Sequence, residues 1–227
     1  MVHPRVSWSG RVLCTVSLFL AGGCTSLSTV RSADVIPGLS VAVQASKSTK
    51  PGEAIGWFFH DCARCNSPIA SGEVGITYGS RRGDEARPFA IGLGVTGIYP
   101  YADGYLQLDT GPTPAGVGGR IAYLPRWVQS QLYGRFDIPL GVGSRILLNP
   151  AIFVQTGTSP NHENPGTFLA LVQGVGILLE GKYVSVTPAV ALVAASGARE
   201  RESGARVFGT ASVAVTVHGP RVPRPTR

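Results

Sequence analysis

Between Ala205 and His218 the chain reads ARVFGTASVAVTVH, and its apolar residues recur at every second position. Val207, Gly209, Ala211, Val213, Val215 and Val217 fall on one side, and Arg206, Phe208, Thr210, Ser212, Ala214, Thr216 and His218 on the other. Side chains alternate across a β-strand but repeat every 3.6 residues around a helix, so a period of two calls for a strand with one apolar face. The pattern recurs upstream. In QSQLYGRFDIPL, Leu132, Phe136, Ile138 and Leu140 oppose Gln129, Gln131, Tyr133, Arg135 and Asp137. In EVGITYGSR, Val74, Ile76 and Tyr78 oppose Glu73, Thr77 and Arg81; in FAIGLGVTG, Phe89, Ile91, Leu93 and Val95 oppose Ala90, Gly92, Gly94 and Thr96. The fold class is therefore all-β.

Many such strands fit either a soluble barrel or sandwich with its apolar face inside, or a transmembrane barrel with that face outside. The polar face decides between them. In water it would be rich in Lys, Glu and Asp, whereas here it is mostly Gly, Ala, Ser, Thr and Gln, in a chain with only 15% charged residues and 30 glycines. Small residues suit the crowded interior of a narrow barrel. The sparse charges Glu73, Arg81, Asp109, Arg120, Arg135 and Asp137, with Tyr133, are expected to form a luminal polar network, because a lone buried charge is costly. The spacing of Arg135 and Asp137 on one strand reads as a structural ion pair.

Turn signals divide the chain into ten candidate strands, at 35–46, 70–81, 87–99, 104–111, 116–124, 128–140, 145–157, 167–180, 183–196 and 205–218. The fourth and fifth flank TGPTPAG, so the expectation is an antiparallel up-and-down β-barrel of 8–10 strands. Placing both termini at one end puts the tight links 141–144 and 181–182 there and the longer loops 47–69, 158–166 and 197–204 at the other. Short links at one end and long loops at the other are the arrangement of outer-membrane barrels.

In strand length, alternation and loop asymmetry, the chain resembles small bacterial outer-membrane β-barrels. Tyr99, Tyr101, Tyr105, Tyr123, Trp127 and Tyr183 fall near predicted strand ends, where that resemblance places interfacial aromatic girdles. The last strand ends on His218, where that family usually has a terminal aromatic. A helical membrane protein is excluded by length: the most apolar stretches, 168–179 and 184–196, are short for spanning helices, and Pro188 interrupts the second.

The N-terminus reads as an export address. Arg5 and Arg11 precede any acid, and the apolar run Val12 to Leu20 has the length of a signal-peptide core. Leu20-Ala21-Gly22-Gly23-Cys24 resembles the lipobox of bacterial lipoproteins, which implies lipidation of Cys24 after removal of residues 1–23. Residues 24–34 then read as a flexible tether, 35–219 as the barrel domain and 220–227 as a disordered basic tail. Cys24 is followed by Thr25 and not Asp, so the expected address is the outer membrane. Cleavage would lower the formal net charge from +7 to +5, part of it in the proline-rich tail. With no aromatic and basic interleaving, nucleic acid is excluded as a partner.

Reactive side chains concentrate in the long loop containing WFFHDCARCNSP. Cys62 and Cys65 are expected to pair as a disulfide in an exported protein. A redox pair lacks its βαβ setting, and a zinc site from His60, Cys62, Cys65 and His162 would need two loops to converge. No metal or cofactor is therefore expected. Trp57, Phe58 and Phe59 suit an interfacial anchor or a lid. His60 with Asp61, or His162 with Glu163, could serve Ser67 or Ser159 as base and partner, but no nucleophile motif surrounds either serine.

The function expected is that of a non-catalytic, monomeric outer-membrane lipoprotein, in contact with membrane lipid, whose outer loops carry a structural or surface-interaction role. Two alternatives stand beside it: a lipocalin-like lipoprotein facing the periplasm and binding a small apolar ligand, and a barrel enzyme acting on lipid.

Overall fold

The computed structural model describes residues 30–48, 70–80, 87–97, 99–124, 127–141, 143–158, 165–197 and 206–220. They form ten strands: β1 (Gly38–Ser48), β2 (Ala70–Gly79), β3 (Phe89–Thr96), β4 (Tyr99–Asp109), β5 (Ala115–Leu124), β6 (Trp127–Gly141), β7 (Ser144–Thr158), β8 (Pro165–Glu180), β9 (Val184–Gly197) and β10 (Arg206–His218). Each pairs antiparallel with its sequence neighbours, and β1 closes on β10 from Ser40 opposite His218 to Ser48 opposite Thr210. The TGPTPAG segment separates two full strands, which settles the count at ten.

Alternation along each strand sorts the side chains between two environments. Val41, Val43, Ile91, Leu93, Leu132, Ile138, Leu171, Ile177, Val213 and Val215 point outward and are exposed, whereas Gln44, Glu73, Gln107, Arg120, Gln131, Asp137 and Gln155 are buried in the lumen. The faces match those read from the sequence, with the apolar one outside. A lipocalin-like arrangement with that face inside is therefore overturned.

The lumen differs from the expectation in one respect. Part of the β7–β10 side is apolar, where Phe153, Val172, Val193 and Phe208 cluster with Ala151, Ala170 and Ala191 beside the buried polar Asn149, Gln155, Thr187 and Ser212. Glu73, Asp103, Arg120, Arg135 and Asp137 occupy the opposite wall, on β2 and β4–β6, while Arg145 on β7 and Glu180 on β8 stand near the ends of their strands. Long apolar runs in β8 and β9 conceal this, because both faces of those strands are apolar and alternation no longer marks the inside.

Three boundaries move. The expected strands 87–99 and 104–111 are divided by a tight turn at Gly97, whose φ of +61° is one that L side chains rarely adopt, so β4 begins at Tyr99. Tyr101 and Tyr105, expected in the aromatic girdle, thereby acquire inward register and are buried, while Tyr123 and Tyr183 do face outward. Residues 30–34, expected as the end of a tether, lie instead inside the barrel, and the chain joins the wall only at Gly38.

A β-branched residue at Gly97 should strain the turn. Gly97→Val is expected to cost about 1–2 kcal/mol, read as a lowered denaturant midpoint with the barrel still formed.

Candidate functional site

The candidate site is the part of the lumen where the charged side of β2–β6 meets the inserted segment. Its centre is Glu73 on β2. Arg120 donates to both carboxylate oxygens, from Nη1 to Oε2 at 2.7 Å and from Nη2 to Oε1 at 3.0 Å. Tyr101 donates its hydroxyl to Oε1 at 2.9 Å, and Arg31 donates from Nη2 to the same oxygen at 2.6 Å. Asp103 extends the cluster by accepting from Arg120 Nη2 at 3.2 Å and from the Tyr133 hydroxyl. Arg31 and Arg135 approach Asp103 at 3.8 and 3.9 Å. Two-point contact between a guanidinium and a carboxylate is the strong, oriented form of ion pair, and in the lumen it removes charges that could not stand alone.

Three tyrosines frame this cluster. The Arg120 guanidinium lies 4.0 Å from the Tyr101 ring centroid, and that of Arg135 lies 4.4 and 4.5 Å from Tyr105 and Tyr133. The Tyr105 and Tyr133 rings are stacked within 10° of parallel. Glycines on adjoining strands leave room for them: an added Cβ would stand 2.6 Å from Tyr101 Cζ at Gly94, 2.6 Å from Tyr105 Cζ at Gly116 and 2.5 Å from Tyr133 Cε2 at Gly118. Gly94 in FAIGLGVTG and Gly116 and Gly118 in AGVGGR are thus the seats of aromatic rings.

A second cluster lies nearer the rim. Asp137 on β6 accepts from Ser32 Oγ at 2.5 Å and from the Ala33 amide at 2.7 Å. Arg145 on β7 pairs with Asp137 at 3.5 Å, Asp34 at 3.7 Å and Glu180 at 3.8 Å. Asn149 Oδ1 accepts from the Arg31 amide, Gln107 Oε1 from the Val35 amide, and Tyr105 donates to the Ala33 carbonyl. Val30 packs against Leu147, Leu178 and Ala189. Residues 30–36 are therefore a plug held on several sides.

Of the network expected from sequence, the structure brings together Glu73, Arg120, Tyr133, Arg135 and Asp137. Asp109 is not part of it: exposed at the end of β4, it accepts from the Gly111 amide at 2.7 Å as a turn cap. Arg135 and Asp137 do not form the expected pair. Arg135 faces Asp103 and two rings, while Asp137 faces Arg145 and the plug. Arg81, Cys24, Cys62 and Cys65 lie outside the described residues, as do Trp57, Phe58, Phe59, His60, Asp61, Ser67, Ser159, His162 and Glu163. Sequence reasoning missed Arg31, Asp103 and Arg145. Asp103 could have been found from the alternation Tyr101-Asp103-Tyr105-Gln107, had β4 been started at Tyr99.

These features define a closed ten-stranded antiparallel β-barrel whose lumen is filled by ion pairs and a plug from its own chain. No protein-family model matches the sequence, and no curated protein does. Among solved structures the chain is similar to Neisserial surface protein A, at a TM-score of 0.38 and 12% identity over 82% of this chain and 99% of that one. It is also similar to a bacterial polysaccharide outer membrane secretin, at a TM-score of 0.33 and 7% identity, with the same coverage of 82% and 99%. At these TM-scores neither likeness carries an argument about function, and the reading below rests on the faces of the barrel itself.

Neutralising Glu73 would leave the buried Arg120 without its two-point partner. Glu73→Gln should lower stability by about 3–5 kcal/mol, measured as a fall in the denaturant concentration at which the barrel unfolds.

Proposed function

We propose that this chain is an integral β-barrel of the bacterial outer membrane, anchored additionally by lipid on Cys24, and that it acts without catalysis as a monomeric structural or surface-interaction protein through the loops opposite its termini. The observation that carries this reading is the outward face. Among the described residues 33 large apolar side chains are exposed, from Leu39 and Val41 on β1 round to Val215 and Val217 on β10. Soluble monomers rarely expose apolar patches of more than a few hundred Å², and a belt of this extent left in water would forgo on the order of tens of kcal/mol. Hydrocarbon is the solvent that suits it.

Other features agree. Outward-facing Tyr78, Phe89 and Tyr183 lie near the end of the barrel that carries the termini, and Tyr123 near the other, at heights suited to membrane interfaces. Antiparallel order puts links 80–88, 110–114, 142–143 and 181–183 at the terminal end and links 49–69, 97–98, 125–126, 159–164 and 198–205 at the opposite one, which thus carries the longest link. The ion pairs and the plug occupy the lumen, which favours a structural or surface role over an open pore. The lipid anchor rests on the lipobox-like sequence at Cys24.

Two results test the reading. Protein in isolated outer membranes should resist carbonate extraction and migrate differently on a gel before and after boiling, and Cys24→Ser should leave both properties intact. Release by carbonate with unchanged mobility would refute a spanning barrel. Leu132→Arg, near the middle of β6 and facing outward, should reduce stability in bilayers by about 2–4 kcal/mol; an unchanged unfolding midpoint in bilayers would place that face in water.

A further inference from the structure

The plug is held by groups that do not need it. Glu73 and Asp103, which hold Arg31, both keep Arg120; Tyr101 also remains bonded to Glu73, and Tyr133 and Arg135 remain beside Asp103. Asp137, which holds Ser32 and Ala33, keeps Arg145, and Arg145, which faces Asp34, keeps Asp137 and Glu180. Gln107 Nε2 donates to the Asp109 carbonyl and Asn149 Nδ2 to that of Leu148, so each carbonyl oxygen that accepts from the plug is oriented by a bond on the barrel side. Glu73, Asp103, Gln107 and Asn149 are thus hydrogen-bonded to the wall as well as to the plug, and Asp137 keeps its ion pair with Arg145.

The plug, in contrast, belongs to no strand ladder, and the contacts that seat it run through side chains. It also leaves slack. A cavity of ≈ 90 Å³ remains between Arg31, Ser32 and Asp34 on one side and Ser40, Thr77 and Thr216 on the other. The seat nonetheless has a definite shape. A Cβ at Gly174 would stand 2.7 Å from Val30 Cγ2, and one at Gly176 2.9 Å from Val30 Cγ1, so two glycines make the recess for the apolar residue that precedes the arginine.

A seat built by the wall and filled by a segment that belongs to no strand ladder has the form of a binding site. We propose that the part of the lumen around residues 30–36 is a binding vestibule for an extended peptide of the pattern apolar–Arg–small–small–acidic–apolar, and that residues 30–36 are its tethered, displaceable occupant. Glu73 and Asp103 read the guanidinium, the Gly174 and Gly176 recess reads the residue before it, and Asp137 reads the hydroxyl and amide after it. A partner chain carrying this pattern would enter as the tethered segment leaves. The inference concerns the lumen and holds whichever solvent surrounds the barrel.

Hydrogen exchange on the full chain in detergent tests the first half. The amides of 31–35 should exchange at least roughly tenfold faster than those of β6 and β7, because the plug opens without the barrel; exchange of 31–35 only together with the strands would overturn the proposal. The second half uses a fluorescein-labelled peptide of residues 30–36 added to full-length Arg31→Glu, in which repulsion from Glu73 and Asp103 empties the seat. That protein should bind the peptide at least about tenfold more tightly than the unaltered chain does, and a peptide with Glu in place of Arg should not bind. Equal binding by both proteins, or by both peptides, would overturn it. Gel mobility before and after boiling reports the barrel in each case. Loss of the barrel in both Arg31→Glu and Arg31→Ala would make the plug an integral part of the fold, against the proposal, whereas the membrane reading would fail separately through carbonate release.

Discussion

Closure of β1 onto β10 is the constraint on which the rest of this structure depends. A ten-stranded sheet with two free edges would leave two rows of backbone groups unpaired, and in hydrocarbon each would cost several kcal/mol. The seam running from Ser40 opposite His218 to Ser48 opposite Thr210 removes both edges. Once the sheet is closed, a side chain has two places to go, and strict alternation sends Val41, Val43, Val213 and Val215 outward while Ser40, Gln44, Ser212 and Ala214 face the lumen.

A closed barrel of this width must also fill its interior. The β7–β10 wall does so with Phe153, Val193 and Phe208, while the β2–β6 wall does so with arginines against carboxylates and tyrosine rings laid over glycines. The two solutions have different consequences. The apolar cluster can pack on its own, but the luminal charges, Arg145 on β7 included, are acceptable only if each finds a partner, and the Glu73–Arg120 pair, buried almost completely, is the point at which that condition is most severe. Arg31 and Asp34 join clusters that already contain opposite charges. That relation makes the inserted segment an occupant of the lumen more than a part of its wall.

Legibility in the sequence followed the physics of each element. Strands β2, β3, β6 and β10 were legible because one face is apolar and the other polar, so the period of two survives in the residue types. In β8 and β9 the strand itself was legible, but the nature of the lumen was not, because Val172 and Val193 inside resemble Leu171 and Leu192 outside. The turn at Gly97 was missed because a single glycine among Gly92, Gly94 and Gly97 gives no local sign of its positive φ. That one error displaced the start of β4, sent Tyr101 and Tyr105 to the wrong environment and concealed Asp103. Asp109 erred in the opposite direction: plain alternation points it inward, but a bulge between Gln107 and Asp109 shifts the register and pairs it with Ala115, whose other partner Phe136 faces outward.

By itself the sequence determined an all-β chain of eight to ten alternating strands, the identity of the two faces and five members of the luminal network, because alternation is a local property written in neighbouring residues. Tertiary structure decided the count of ten, the partners of each charge and the fate of residues 30–36. No local pattern could place Arg31 beside Glu73, Asp103 and Tyr101, or Ala33 beneath Asp137. Those contacts join residues 42 to 104 positions apart and exist only once the wall has closed around the segment.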